Sequence, residues 1–331
     1  MPDRDTVDAK QAVAPSSTTA IVAGRPSGGA RSEPFRLLWL MLWMSGTLMS
    51  FIVAAISVRA LAHSLNAFEM MTVRSAGGLV ILLVMGLARP QLLRSIAFRH
   101  MRMQLARNVA HFASQICWTV AIVLLPFATV FALEFTIPAW VTVLAVMFLG
   151  ERMTPTRAGA LATCILGVVI ILRPGFEAFQ PAALVMIAAA LLFAIAAIIT
   201  KKLIATEATF SIMIWMNLMQ LPMNFAGSDP AFVLRLESWM ILPLIGIATA
   251  GLAIHYCLAN AFRYGDAMIV VPMDFLRVPL IAVIGWAFYG ERADAFVFAG
   301  AALIITGVLL NIRGEAQRDV APKRPALQPA E

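Results

Sequence analysis

The sequence predicts an all-α integral membrane protein whose ten transmembrane helices form two inverted five-helix repeats. Of the 331 residues, 61% are hydrophobic and 13% charged, whereas a soluble domain carries about 25% charged residues. Apolar runs long enough to cross a bilayer follow one another along the chain. A Gly-Glu-Arg triplet occurs at 150–152 and again at 290–292, which is 140 positions later (290 − 150). In so apolar a chain, the net charge of +7 does not indicate a nucleic-acid partner.

Ten segments meet the requirement of about 20 mostly apolar residues for each crossing. They are 37–58, 67–88, 104–123, 126–149, 157–173, 180–200, 209–226, 239–260, 267–289 and 294–312. A count of nine would need 105–149 to form one crossing, but its 45 residues (149 − 105 + 1) are too many for that.

The chain is expected to divide into four parts. Residues 1–34 and 314–331 are polar and predict disordered cytoplasmic tails. Residues 35–175 and 176–313 predict the two five-helix repeats. No apolar stretch precedes Leu37, so we expect the first hydrophobic segment to be a retained span and not a cleaved signal.

Loop charges predict the orientation, because Lys and Arg concentrate on the cytoplasmic side of a membrane. With the N-terminus inside, the inner loops hold ten Lys and Arg residues, Arg107 among them, and the outer loops hold four. The two triplets close spans four and nine, so an odd number of crossings places them on opposite faces. Inverted repeats of this kind recur in secondary transporters. A duplicated scaffold without transport is the alternative.

Two acidic residues inside the spans are the strongest site candidates. Glu134 and Asp274 lie 140 positions apart (274 − 134), each about 12 Å into its span at the helical rise. Ionisable groups at this depth usually face an internal cavity. Pro138 and Pro279 follow them and cannot donate a backbone hydrogen bond, so we expect kinks that free the carbonyls of Glu134 and Phe275.

Arginines supply the expected partners of these acids. Arg277 lies three residues after Asp274, on the same helical face, and predicts a local ion pair. Arg74 is at a similar depth in span two and is the expected partner of Glu134 across helices. Whether these pairs are structural or bind substrate stays open at this stage.

Other polar and aromatic side chains within the spans complete the predicted substrate site. They are His111, Gln115, Trp118, Trp140, His255 and Asn260. The first three are spaced to share one helical face, and His255 corresponds to Gln115 after a shift of 140. A histidine could carry protons, although a lone histidine in a helix bundle more often serves as a hydrogen-bonding residue. The histidine and cysteine spacings indicate no metal site, and no cofactor is expected.

Small residues mark the last span of each repeat, around Gly159–Gly167 and Gly300–Gly307. They predict close helix packing or a dimer face, so monomer and homodimer both stay open. The Gly-Glu-Arg triplets are expected to be structural, with Glu capping the next helix and Arg reaching the lipid headgroups.

A longer pattern surrounds the first triplet. From Pro138 to Arg152 the chain follows P-x-W-x-x-x-L-A-x-x-F-L-G-E-R, and the second copy matches it more loosely. The matching residues of that copy are Pro279, Ala282, Phe288, Gly290, Glu291 and Arg292. The pattern resembles the drug/metabolite transporter superfamily in its ten-helix EamA branch, over about 37–312, and Arg74 fits the habit of that family. The resemblance implies a carrier of metabolites, with export favoured over uptake.

We therefore expect a secondary-active or facilitative carrier of small polar solutes, such as amino acids or S-adenosylmethionine-like metabolites, with proton coupling left open. A multidrug or cation exporter of the same fold is the alternative, and an intramembrane enzyme using Glu134, Asp274 and His111 is an alternative of another class. The sequence contains no G-x-x-x-x-G-K-[ST], H-E-x-x-H or G-x-S-x-G motif. The excess of Arg over Lys, 21 to 4, suggests a bacterial source and hence the inner membrane.

Overall fold

The computed structural model describes residues 33–149, 153–173, 180–264, 267–292 and 294–320, and these are helical or in short connections, without a strand. The main helices are α1 (Glu33–Leu61), α2 (Ala67–Ala88), α3 (Met101–Leu124), α4 (Phe127–Glu134), α5 (Ile137–Leu149), α6 (Pro155–Leu172), α7 (Ala182–Leu203), α8 (Thr209–Ala226), α9 (Ile241–Tyr264), α10 (Ala267–Asp274), α11 (Arg277–Tyr289) and α12 (Ala295–Val320). The first triplet, 150–152, lies outside the described residues.

Seven helical segments in the described part of the chain are long and apolar enough to cross a membrane. The protein is therefore a multi-pass helical membrane protein, as predicted. The predicted spans 104–123, 209–226 and 267–289 are helical as well, but they do not meet the same criterion. In α3 and α8 the reason is a set of polar side chains that the fold buries, and within 267–289 the 13-residue α11 counts only as a shorter apolar helix.

The helix boundaries repeat along the chain. Helices α9, α10 and α11 begin and end 140 residues after α3, α4 and α5, for example at 241 against 101 and at 264 against 124. A break at 135–136 separates α4 from α5, and a break at 275–276 separates α10 from α11. Each break lies between an acidic residue and the proline that follows it.

Helices from the first half of the chain pack against helices from the second half. Helix α1 packs against α9, and α3 packs against α7, so the third long helix of each half contacts the first helix of the other. Helix α2 packs against α8, and α6 against α12. Close approach in the last pair depends on glycine, because a Cβ on Gly167 would lie 2.6 Å from the carbonyl oxygen of Gly300. This small-residue face thus serves packing within the chain.

Helix α4 lies at the centre of the main hydrophobic core. Its residues Phe127, Phe131 and Leu133 are fully buried and pack against residues of α1, α3 and α12. A helix that is apolar all round suits such a position. Burial of α4 carries its last residue, Glu134, into the interior of the protein.

Helix α12 is longer than the sequence suggested. It continues to Val320, whereas the predicted span ended at 312 and the predicted tail began at 314. The extension contains charged residues and little apolar surface, so hydropathy alone could not find it.

Candidate functional site

A buried group of charges lies at the two helix breaks. One terminal nitrogen of Arg277 (Nη1) is 3.2 Å from Oε1 of Glu134, and the other (Nη2) is 3.6 Å from Oδ2 of Asp274. Trp118 donates from Nε1 to the second oxygen of Glu134 at 2.8 Å. The side chains of Arg277 and Glu134 are 3% and 9% exposed, and that of Asp274 is 21% exposed. We call Glu134, Asp274 and Arg277 the charged centre.

Aromatic rings surround the guanidinium group of Arg277. Its central carbon lies 3.8 Å from the ring centroid of Phe51, 4.7 Å from that of Phe135 and 5.1 Å from that of Phe131. Such contacts attract a cation and are strongest where water is excluded. Phe135 also meets Phe275 edge to face at 4.5 Å, which joins the two breaks directly.

The charged centre corrects two expectations. Arg277 pairs with Asp274 as the spacing suggested, but Glu134 pairs with Arg277 and not with Arg74. Depth along a helix did not reveal which neighbour lies alongside, and α11 lies against α4. The carbonyl of Phe275 is also not free, because the N–H of Val278 donates to it at 3.1 Å. The backbone closes a three-residue turn where the proline removed the four-residue bond.

Some hydrogen-bonding capacity in the charged centre is unused. Oδ1 of Asp274 and Nε of Arg277 are buried without a hydrogen-bond partner among the described residues. Most buried polar atoms in proteins are satisfied, so such atoms call for an explanation. Asp274 is the more exposed of the two acids, and one of its oxygens is without a hydrogen-bond partner among the described residues.

A second polar group lies farther along α3, between helices of both halves. It consists of Arg74, Arg107, His111 and His255; we call it the basic cluster. Arg107 and His111 are one turn apart on α3, Arg74 faces Gly251, one turn before His255 on α9, and α2 packs against both α3 and α9. Arg107 donates to the hydroxyl of Thr200 at 3.1 Å and to the side-chain oxygen of Asn108 at 2.9 Å.

Gln220 also contacts the basic cluster, because its amide nitrogen lies 2.9 Å from Nδ1 of His111. Arg107 and Gln220 were missed as site residues. Arg107 had been counted as a loop cation, although it is buried and lies one helical turn before His111. That four-residue spacing on one face was the signal that could have identified it.

Arg74 is the most unusual member of the basic cluster. Its side chain is only 9% exposed, yet it forms no hydrogen bond or ion pair with any residue that the structure describes. An arginine at the centre of a membrane helix costs about 2.5–3.5 kcal/mol on insertion scales. Opposite it stands Gly251, where an added Cβ would lie 2.7 Å from Nε of Arg74. The glycine thus provides the room that this guanidinium occupies.

The remaining predicted site residues divide between these groups and the scaffold. Gln115 is half-buried on the face of α3 between His111 and Trp118, so it lies between the basic cluster and the charged centre. Trp140 instead packs with the apolar cluster between α5 and α7. Asn260 is buried and donates to the carbonyl of Tyr256 in its own helix at 2.8 Å.

A latch between the halves lies at the end of the bundle that carries the α1–α2 connection. Glu291 of the second triplet forms an ion pair with Arg59 and accepts the N–H of Phe127 at 2.9 Å. Arg59 also donates to the carbonyls of Ile122 and Leu125, both at 2.5 Å. The triplet was expected to cap the next helix. Instead, Glu291 caps α4, because the α11–α12 connection folds over the first turn of that helix.

A cavity of about 520 Å³ opens beside this latch. It is lined in part by Arg59, His63, Tyr289 and Glu291.

The fold and these groups define a multi-pass membrane protein with ionisable side chains in its interior, where its two halves meet. The sequence matches the EamA-like transporter family over residues 37–173 and 180–313. The chain belongs to this family, which confirms the resemblance found in the sequence. The protein is accordingly of the transporter class and not an enzyme.

Relatives and a solved structure support this assignment. The riboflavin transporter of Rhizobium johnstonii is 33% identical over 207 residues, covering 62% of this chain and 68% of that protein. The S-adenosylmethionine uptake transporter of Rickettsia bellii is 26% identical, covering 82% and 93%. The pseudopaline exporter CntI of Pseudomonas aeruginosa is 28% identical, covering 82% and 96%. One crystal structure aligns with a TM-score of 0.55 at 17% identity, covering 86% and 99%, and supports the fold alone.

Proposed function

We propose that the protein is a secondary-active or facilitative carrier of small polar organic solutes that works by alternating access. In this proposal the chain crosses the membrane ten times, as two inverted five-helix halves at 35–175 and 176–313. The repetition of helix boundaries after 140 residues and the paired cross-packing of α1 with α9 and α3 with α7 support the arrangement. Inverted halves allow one half to rock against the other around a fixed central site.

The observation that carries the proposal is the charged centre at the two breaks. Glu134 ends α4 in the first half, and Arg277 begins α11 in the second, so their ion pair joins the halves across the interior. Broken helices at a midplane site are a recurring feature of secondary transporters. Movement of one half relative to the other would change the distances within this pair.

Asp274 is proposed to contact the solute or a coupling proton. It is the partly exposed acid of the charged centre, and one of its oxygens has no hydrogen-bond partner among the described residues. A carboxylate in this position suits the cationic group of a zwitterionic solute. A multidrug or cation exporter would use the same acid, and the two forms of the proposal differ in whether an anionic group of the solute is also held.

The solute class and the direction are also part of the proposal. Relatives named for riboflavin and for S-adenosylmethionine indicate polar organic metabolites, so these two solutes and amino acids are the first to test. Export is the expected direction. The relatives include both an uptake transporter and an exporter, which makes direction a separate measurement. We place the protein in a bacterial inner membrane, with both termini in the cytoplasm.

Counterflow in proteoliposomes tests the carrier function. Purified protein is reconstituted and exchange of labelled riboflavin, S-adenosylmethionine and amino acids is followed with and without a pH gradient. We expect exchange of at least one solute, and a loss of about tenfold or more in Asp274→Asn, since a charged hydrogen-bonding group would be lost. The matched control is Asp229→Asn, because Asp229 lies on an exposed connection. Equal exchange by wild type and Asp274→Asn would contradict the proposed role of Asp274.

A further inference from the structure

We propose that the basic cluster binds an anionic group, a carboxylate or a phosphate, of the transported solute. This inference rests on the proposed carrier function. It adds a negative charge to the solute, whereas Asp274 of the charged centre was proposed to bind only a cationic group or a proton. The solute would place its anionic group among Arg74, Arg107 and the two histidines, and extend along α3 toward Asp274.

Arg74 is buried without a hydrogen-bond or ion-pair partner among the described residues. Its guanidinium group offers five N–H donors in a planar fork that matches a carboxylate or phosphate. Within the described part of the chain, however, no acceptor takes a hydrogen bond from it. Buried charges in proteins are normally paired. The absence of a Cβ at Gly251 makes space for this side chain, so the fold accommodates Arg74 in the interior of the protein.

Two buried acids of the bundle, Glu134 and Glu207, are engaged by residues outside the basic cluster. Glu134 is engaged by Arg277 and Trp118. Glu207 accepts from the amide of Gln104 at 2.6 Å and lies 3.3 Å from Nδ1 of His100. Among the described residues, neither of these buried carboxylates pairs with Arg74 or Arg107. Neither guanidinium charge therefore has a carboxylate partner among the residues that the structure describes.

Several nitrogen atoms of the basic cluster are not engaged in hydrogen bonds with the described residues. Arg107 is held by Thr200 and Asn108 through Nε and Nη1, which leaves its other N–H groups available. Nδ1 of His111 is engaged by the side-chain nitrogen of Gln220 at 2.9 Å, and its other ring nitrogen, Nε2, has no hydrogen-bond partner in the described structure.

One residue of the basic cluster, His255, has accessible surface. His255 lies at the middle of α9 and one helical turn after Gly251, yet its side chain is exposed. The imidazole has no hydrogen-bond partner among the described residues. Protein surrounds this residue, so its accessible surface faces a space between the helices, beside Gly251 and Arg74.

The spacing of the two groups limits the shape of the solute. His111 of the basic cluster and Trp118 beside Glu134 are seven residues apart on α3, or about 10 Å along the helix. The half-buried side chain of Gln115 lies between them without a hydrogen-bond partner in the described part of the chain. A solute bound by both groups would therefore be elongated, with its anionic end about 10 Å from its polar or cationic end.

Matched ligand pairs test this inference on the purified full chain. One pair is riboflavin 5′-phosphate with riboflavin, and the other is S-adenosylmethionine with its decarboxylated form; inorganic phosphate and acetate serve as free anions. Binding is measured by the shift in melting temperature over a concentration series, which does not depend on transport. We expect the anionic member of at least one pair to stabilise the protein more than its partner. The phosphate pair and the carboxylate pair then distinguish the two anion types.

Arg74 variants connect the effect to the site. In Arg74→Gln we expect affinity for the anionic member to fall by at least about tenfold, with the melting temperature of the ligand-free protein unchanged or raised. Arg74→Lys keeps the charge without the fork and should lie between this variant and wild type. Arg102→Gln is the matched control, because Arg102 is exposed at the start of α3 and forms no ion pair among the described residues.

The inference is overturned if no anion stabilises the wild type, if both members of each pair bind equally, or if Arg74→Gln binds the anion as wild type does. Should it fail while Asp274-dependent counterflow persists, the carrier function stands with a solute that needs no anionic group. Should counterflow be absent for every solute while Arg74-dependent anion binding is found, the carrier proposal fails and the site stands.

Discussion

The charged centre and the basic cluster differ in how their charges are compensated, although both lie along one face of α3. In the charged centre, Arg277 has two carboxylates within 3.6 Å and three aromatic rings around it. In the basic cluster, Arg74 and Arg107 have no carboxylate among the described residues. Removing one partner of a compensated buried pair leaves an uncompensated charge and destabilises the fold, whereas buried charge without a partner is tolerated for a function.

Replacing Arg277 gives the largest expected effect on this comparison. In Arg277→Gln, Glu134 stays buried without its cation, and removal of one partner of a buried pair costs about 3–5 kcal/mol. We therefore expect a large drop in the melting temperature of the detergent-solubilised protein. Adding Glu134→Gln to this variant should recover most of the loss, because the uncompensated charge is then removed.

The control for this cycle is Arg102→Gln. Arg102 is exposed at the start of α3 and forms no ion pair among the described residues, so this change should alter stability by no more than about 0.5 kcal/mol. If Arg277→Gln lowered stability equally in the presence of Glu134 and of Gln at position 134, the charged centre would not be a structural pair, and the contrast with the basic cluster would fail.

Replacing Gly251 should have an intermediate effect, which is directed at the basic cluster. In Gly251→Ala the new Cβ would lie 2.7 Å from Nε of Arg74, so the guanidinium must move. Overpacking of this kind costs about 1–3 kcal/mol. We expect a moderate loss of stability together with weaker anion binding, measured by thermal shift with the ligand pairs.

Gly159→Ala is the matched control, because a Cβ at Gly159 would meet no other atom within 4 Å. Alanine is favoured over glycine in a helix by roughly 0.5–1 kcal/mol, so this variant should be neutral or slightly stabilising. Equal behaviour of the two alanine variants would show that the position of Arg74 does not depend on Gly251.

Replacing Glu291 should have the smallest effect of the three. Glu291→Gln removes the ion pair with Arg59 but keeps an acceptor for the N–H of Phe127, and Arg59 retains two carbonyl partners. We expect a loss of about 1 kcal/mol, since the N–H of Phe127 and the guanidinium of Arg59 keep hydrogen-bond partners and the pair retains some exposure. Unfolding of the two proteins in the same detergent measures the difference, and a loss as large as that of Arg277→Gln would remove the distinction between this partly exposed pair and the more deeply buried pair of Arg277 with Glu134.

Much of the local structure was predictable from the sequence. The apolar segments located the helices to within a few residues, as for the predicted span 267–289, which begins at Ala267 and ends at Tyr289. Glu134 and Pro138 predicted an interruption, and α4 ends at that glutamate. Arg277 was also assigned to Asp274, because a spacing of three residues on a helix defines a contact without knowledge of the fold.

The contacts between helices were less predictable. Glu134 was assigned to Arg74, and Arg107 was treated as a loop cation, because span boundaries are least certain where charges begin. Glu291 was expected to serve its own connection, but the fold brings it to α4 of the other half. Each of these errors concerns which helix lies beside which.

The sequence by itself determined the membrane class, the helices, the 140-residue repetition and the acid-then-proline breaks, since each depends on composition or on spacing along one helix. Only the tertiary structure decided that Arg277 compensates Glu134 and that Arg74 has no carboxylate partner within the described ranges. The physical reason is that lateral packing of helices from different halves sets the distances between charges, and in a chain with few charged residues a single such contact decides which charges are paired.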